Sequence, residues 1–136
     1  MSDFTIKDSG KRQEFTGGMV RDTTEGKLRS DLIKDGPMHL RWILHLTKGA
    51  QKYKARNWMQ AQGQAEYERF LESCDRHYTV WYMWMAYGIN IEDPEHPTTE
   101  PLVEDHAAGV YFNINGAEYI KTLKDPNLLS KFLERE

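Results

Sequence analysis

Three carboxylates recur along the stretch "EYERFLESCDRH": Glu68, Glu72 and Asp75 stand at i, i+4 and i+7. That spacing stacks them on one face of a helix, and clustered carboxylate oxygens are what a hard divalent ion such as Mg²⁺ takes as ligands. Glu68, Glu72 and Asp75 are therefore candidate metal ligands, and Glu72 and Asp75 are candidate catalytic groups. The same face also suits plain solvation, with Arg69, Glu72 and Arg76 pairing at i+3 and i+4. His77, on the interior side of the segment, is a candidate catalytic group: it could orient a carboxylate, bind a metal or act as a general base, or serve as a buried structural imidazole.

A second group is Glu104-Asp105-His106, with Asn113 two helical turns beyond on the same face. Asp105 and His106 extend the candidate metal set, and Asn113 is a candidate substrate contact. Complementing a helix dipole accounts equally well for the two acids, and a core hydrogen bond for His106 and Asn113. A third group, "KGAQKYKARNW", gathers Lys48, Lys52, Lys54 and Arg56 with Tyr53, Asn57 and Trp58. Joined by Arg21, Lys27 and Arg29 of "VRDTTEGKLRSDLI", it forms a candidate nucleotide pocket, with the cations on phosphates and Trp58 or Tyr53 stacked on a base. Gly26-Lys27 is followed by Leu28 without the glycine spacing of a P-loop, which excludes a Walker-type NTPase. His39 and His45 lack metal-chelating i,i+4 spacing and receive no role.

These groups need helices to position them. Pro37 is suited to a first helical turn, and Leu40, Ile43, Leu44, Thr47 and Ala50 repeat at helical spacing, predicting a helix over about 37–55. A second helix places Tyr67, Phe70, Leu71, Cys74, Tyr78, Trp81 and Met85 on one stripe and ends near Gly88, with Cys74 read as a small buried hydrophobe. Its last turns, "VWYMWMAY", are apolar nearly all round, so the helix is either deeply central or part of a subunit interface. After the proline-rich loop "GINIEDPEHPTTEP", a third helix from Pro101 carries Leu102, His106, Gly109, Asn113, Gly116, Ala117 and Ile120, and "DPNLLSKFLERE" predicts a short fourth. Residues 1–30 show neither period and are expected to be extended or loop-like, and no strand pattern stands out elsewhere. The fold class is all-α.

A chain of 136 residues fits one core. A net charge of −3 removes the long-range field that recruits basic domains to nucleic acid or anionic membrane, so no nucleic-acid or membrane partner is expected. A single cysteine excludes an internal disulfide and a Cys-rich zinc site. With no apolar run long enough to span a bilayer and no signal-peptide core, a soluble cytoplasmic protein is expected.

The order "GGMVRDTTEGKLRSDLI", "KGAQKYKARNW", "FLESCDRHYTVW", "EDHAAGVYFN" resembles the phage dATP/dGTP diphosphohydrolase family, small relatives of the all-α, MazG-like nucleoside triphosphate pyrophosphohydrolases. The resemblance spans residues 17 to 120 and is most specific in its first motif. It implies Mg²⁺- or Mn²⁺-dependent cleavage of a purine deoxynucleotide between its α- and β-phosphates, releasing monophosphate and pyrophosphate. It also implies a MazG-like helical bundle with an extended polar arm, its core completed in a homodimer or homotetramer, in the host cytoplasm if phage-encoded. The domain expectations that follow are a flexible tail over 1–16, the nucleotide-hydrolysing domain over 17–123 and a short C-terminal helix over 124–136. The chain departs from the family pattern at two ligand positions: Thr47 and Lys48 stand where an acidic residue precedes the Gly-Ala of the first helix, and Gly109 stands three residues after His106. A non-catalytic nucleotide-binding protein on the same scaffold is therefore the alternative expectation.

Overall fold

The computed structural model describes Ile6 and residues 8–134 and divides at Asp35 into two compact units. In the first, strands β1 (Arg12–Glu14) and β2 (Val20–Asp22) pair antiparallel, with Gln13 opposite Arg21. Gly18 closes the turn at φ 90°, in the left-handed region that glycine enters without a Cβ clash. This hairpin corrects the expectation of an arm without strands. Its residues are almost all exposed, so no face needs burial and no apolar alternation marks it in the sequence. β1 lies within the stretch expected as a flexible tail, whose residues 1–5 and 7 fall outside the described residues. Asp22 knots the unit together. It accepts from the Ser9 hydroxyl at 2.5 Å and pairs with Lys27 at 3.0 Å, and these bonds hold its carboxyl far below the usual range.

The second unit holds α1 (Met38–Lys52), a 3-10 turn (Asn57–Gln60), α2 (Gln64–Tyr87), α3 (His106–Lys124) and α4 (Leu128–Leu133). The fold is all-α apart from the hairpin. Helix α3 is central, packing along α2 and touching α1, the 3-10 turn and α4. Small residues make that approach possible: a Cβ on Gly116 would stand 2.5 Å from the Phe70 ring, and one on Gly109 would stand 2.8 Å from His77. Val80 of α2 and Ala108, Ala117 and Ile120 of α3 are buried. Helix α2 begins with the Gly63 N–H donating to the Glu66 carboxylate at 3.2 Å and ends where Gly88 turns left-handed at φ 66°.

Three boundaries or faces differ from expectation. Helix α1 stops at Lys52, because the chain turns out through Tyr53 and then Arg56, which holds a left-handed φ of 62°. Helix α3 starts at His106 with Asp105 as its N-cap, so Leu102 and Glu104 precede it rather than lying in its first turns. The inward stripe of α2 is shifted in part: Tyr67, Phe70, Cys74 and Trp81 of the expected stripe are at least partly buried, Ser73, His77, Val80 and Trp84 join them, and Leu71, Tyr78 and Met85 are exposed. The cause is α3, whose glycines accept bulky rings at the Phe70 and His77 positions, so a polar histidine occupies the seam that an apolar count assigned to its neighbours. Among the described residues, no helix is long and apolar enough to cross a membrane.

Candidate active-site cleft

A cleft of about 1760 Å³ opens in the second unit between α1, the 3-10 turn, α2 and α3. The C-terminal end of α1 supplies Lys48 and Lys52, where cations also complement the carbonyl end of the helix. The chain then reverses through Arg56, and this strained turn delivers Asn57 and Trp58 to the same wall. Arg69 and Arg76 face them from α2. Lys48, Lys52, Tyr53, Arg56, Asn57, Trp58 and Asn113, all expected as substrate contacts, thus border one opening.

Their side chains have different freedom. Trp58 packs edge-on against Tyr119 at 5.2 Å and Phe112 at 6.5 Å, while the Tyr119 hydroxyl donates to the Met59 carbonyl at 3.3 Å, so Trp58 anchors the wall. Tyr53 is 65% exposed with the Lys52 ammonium 5.1 Å from its ring centre, leaving it the more accessible aromatic face. Asn113 is buried and donates to the Gly109 carbonyl at 2.7 Å, a bond inside α3. His45, given no role from its spacing, lines the cleft between Trp42 and Phe112, and burial holds its imidazole below the ordinary pKa.

At one wall two imidazoles meet. The Nδ1 atoms of His77 and His106 are 2.9 Å apart, and the Glu104 carboxylate lies 3.8 Å from His77 Nδ1. His77, Glu104 and His106 each offer a ligand atom within 4.8 Å of the others. Burial first, then the charge of Arg76, lowers the pKa of His77, which is therefore neutral at neutral pH. The loop from α2 to α3 completes the group. Buried Asn90 donates to the Thr99 carbonyl at 2.8 Å and accepts from the Glu92 N–H at 3.0 Å, fixing the loop so that the Glu92 carboxylate meets His106 Nε2.

The other expected ligands are placed elsewhere. Glu68, Glu72 and Asp75 are exposed on the side of α2 opposite His77, roughly 140–180° away at about 100° per residue. Glu68 accepts from Gln64 at 3.3 Å and Glu72 pairs with Arg69 at 3.3 Å, so the structure does not bring these acids together with Asp105 or His106. Asp105 is engaged twice: it takes a two-pronged bond from Arg41, whose Nε lies 2.7 Å away, and it caps α3 through the Ala108 N–H at 3.0 Å. The Arg41 guanidinium holds its carboxyl below the usual range. In the first unit, Arg21 lies in β2, Lys27 pairs with Asp22, and Arg29 makes a two-pronged bond with Asp31.

Sequence reasoning left Glu92, Asn90, Arg41 and His45 without a role. Only Asn90 had a local signal, an amide in a proline-rich loop; the others acquire meaning through contacts across the fold. The structure also accounts for the departure at Gly109: the space that a side chain on α3 would fill holds the His77 ring from α2. At the other departure, Thr47 is exposed and its hydroxyl donates to the Ile43 carbonyl of its own helix at 2.8 Å.

A family model described as dATP/dGTP diphosphohydrolase, N-terminal, matches residues 18–99, which include α1 and α2 and end before α3. No curated protein and no solved structure matches the chain.

Proposed function

The chain belongs to the dATP/dGTP diphosphohydrolase N-terminal family, and from that premise we propose that it hydrolyses purine deoxynucleoside triphosphates between the α- and β-phosphates, releasing monophosphate and pyrophosphate. The observation that carries this reading is the make-up of one cleft, where phosphate-binding cations and an open aromatic share an opening with the His77–Glu104 wall. Lys48, Lys52, Arg56 and Arg69 supply the charge for a triphosphate, with arginine giving two-pronged bonds to its oxygens. Tyr53 offers a stacking face to the base, and Asn57 offers amide contacts to its edge. Lys27 and Arg29 of the first unit pair with Asp22 and Asp31, so this reading draws the phosphate charge from the cleft's own residues.

Mg²⁺ or Mn²⁺, when bound with the triphosphate, would neutralise its charge and polarise the phosphorus under attack. The carboxylates Glu68, Glu72 and Asp75 do not form a common site for such an ion, and Asp105 is engaged by Arg41. Among the described residues the His77–Glu104–His106 group is the one whose ligand atoms converge, and this reading assigns water activation there. His77, neutral and buried, is able to accept a proton or a Lewis acid. The exposed apolar side chains Tyr78, Tyr82 and Met85 of α2, beside a small buried core, support assembly into a homodimer or homotetramer.

The test is incubation of the protein with dGTP or dATP and Mg²⁺ or Mn²⁺, with chromatographic quantification of products. Monophosphate and pyrophosphate appear in equal amounts; Lys48→Ala and Arg69→Ala raise KM, His77→Ala removes turnover, and Glu72→Gln leaves it intact. Tight nucleotide binding without turnover under any metal would select the non-catalytic alternative, which Thr47 and Gly109 at ligand positions motivate.

A further inference from the structure

The wall of the cleft has a donor set unlike that of a Mg²⁺ site. His77 and His106 come from different helices, and Gly109 has no side chain where the His77 ring lies, so the two Nδ1 atoms face each other at 2.9 Å. The Glu104 carboxylate stands 3.8 Å from His77 Nδ1, on a side chain 51% exposed toward solvent. The side chain of His106 is only 3% exposed, and its buried Nε2 meets the Glu92 carboxylate. Arg76 completes the surroundings, with a guanidinium nitrogen 3.3 Å from His77 Nε2.

We propose that His77 Nδ1, His106 Nδ1 and the Glu104 carboxylate bind one divalent transition-metal ion of the Zn²⁺ or Co²⁺ type, with Glu92 orienting His106 from behind. Imidazole nitrogens select such ions over Mg²⁺, which takes an oxygen shell. At metal–nitrogen bonds of about 2.0–2.1 Å, tetrahedral ligands stand about 3.4 Å apart, so the imidazoles separate by about half an ångström and the half-exposed Glu104 side chain, within 4.8 Å of both, closes by about 0.4–1.4 Å. A carboxylate on the far nitrogen of a ligating histidine is the usual partner that holds its proton there and leaves the near nitrogen bare for metal. Glu92 occupies that position for His106. Three protein ligands leave a fourth position for water or a phosphate oxygen, and His77 and Glu104 both border the cleft. For the metal to bind, His77 must carry its proton on Nε2, and Arg76 must swing away.

The competing arrangement uses the same atoms without metal: Arg76 donates to His77 Nε2, His77 Nδ1–H donates to His106 Nδ1, and His106 Nε2–H faces Glu92. The two are separated by titrating metal alone. The inference rests on the proposed water-activating role of this wall, but its readout contains no nucleotide, so failed turnover and failed metal binding are separate results. Chelator-stripped protein is titrated with Co²⁺, and then with Zn²⁺ in competition, in the presence of millimolar Mg²⁺. The expected result is one Co²⁺ per chain with a visible absorption band of four- or five-coordinate cobalt, discharged by Zn²⁺ and indifferent to Mg²⁺. Glu104→Gln, at an exposed position that leaves the helices folded by circular dichroism, weakens binding at least tenfold; Glu92→Gln weakens it about 10–100-fold; Glu72→Gln leaves it unchanged. No stoichiometric uptake, or cobalt binding as tight in Glu104→Gln and His106→Ala as in the parent, overturns the site. Retained fold with imidazole nitrogens coupled by hydrogen bonding and no uptake establishes the metal-free relay instead.

Discussion

Replacing Gly109 by alanine tests the packing that seats His77. The added Cβ would lie 2.8 Å from His77 Cγ and Nδ1 and 2.9 Å from Cδ2. Carbon contacts relax at about 3.5–4.0 Å, so the ring must retreat by about 0.8 Å, away from the His106 Nδ1 that it meets at 2.9 Å. Forcing one extra methyl into such a seam costs about 1–3 kcal/mol, and alanine returns about 0.5–1 kcal/mol over glycine inside a helix. At the midpoints of these ranges the net is a destabilisation of about 1.3 kcal/mol, a fall in Tm of about 5 °C at about 4 °C per kcal/mol. Gly49 is the control, because it also lies in a helix but a Cβ there meets nothing within 4 Å. Gly49→Ala therefore raises Tm by about 2–4 °C. Thermal unfolding followed by far-UV circular dichroism, with chelator present, reads both variants. A Gly109→Ala protein as stable as the parent would refute the close approach of α2 and α3, as would both variants shifting in the same direction.

Arg41→Met removes the two-pronged bond to Asp105 and lowers stability by about 1–2 kcal/mol at neutral pH. Because Arg41 depresses the Asp105 pKa, the contribution is present above the unfolded value of about 3.9 and is lost as pH falls through the folded one; the Tm gap between variant and parent closes below about pH 4. Asn90→Ala breaks the clasp of the α2–α3 loop, costing about 1–3 kcal/mol and raising backbone amide exchange over residues 90–99. Assembly is checked by light scattering on dilution: a multimer is expected that dissociates in Met85→Glu, where the side chain is 66% exposed; a monomer at micromolar concentration would contradict it.

The helices and the cluster of cations at the cleft were legible because both depend on local pattern. Leu40 to Ala50 repeat at helical spacing, and "KGAQKYKARNW" concentrates its charge in one turn that stays together in the fold. The hairpin was not legible, since neither face of β1 or β2 is buried and nothing forces alternation. The metal-type group was misdirected for a different reason. Glu68, Glu72 and Asp75 share a face by helical spacing alone, yet spacing says nothing about which face meets α3. That choice belongs to Gly109 and Gly116, whose missing side chains draw Phe70 and His77 inward and turn the acids to solvent. Glu92 and His106 are neighbours only because Asn90 folds the intervening loop back on itself.

The central claim is cleavage between the α- and β-phosphates, and two analogues of dGTP test it directly. With the bridging oxygen between the β- and γ-phosphates replaced by methylene, the account predicts release of dGMP and methylenebisphosphonate. With the α,β-bridge replaced, the same protein should bind the analogue and release nothing. Turnover of the α,β-methylene analogue to inorganic phosphate, or dGDP as the first product from dGTP, would contradict the assignment.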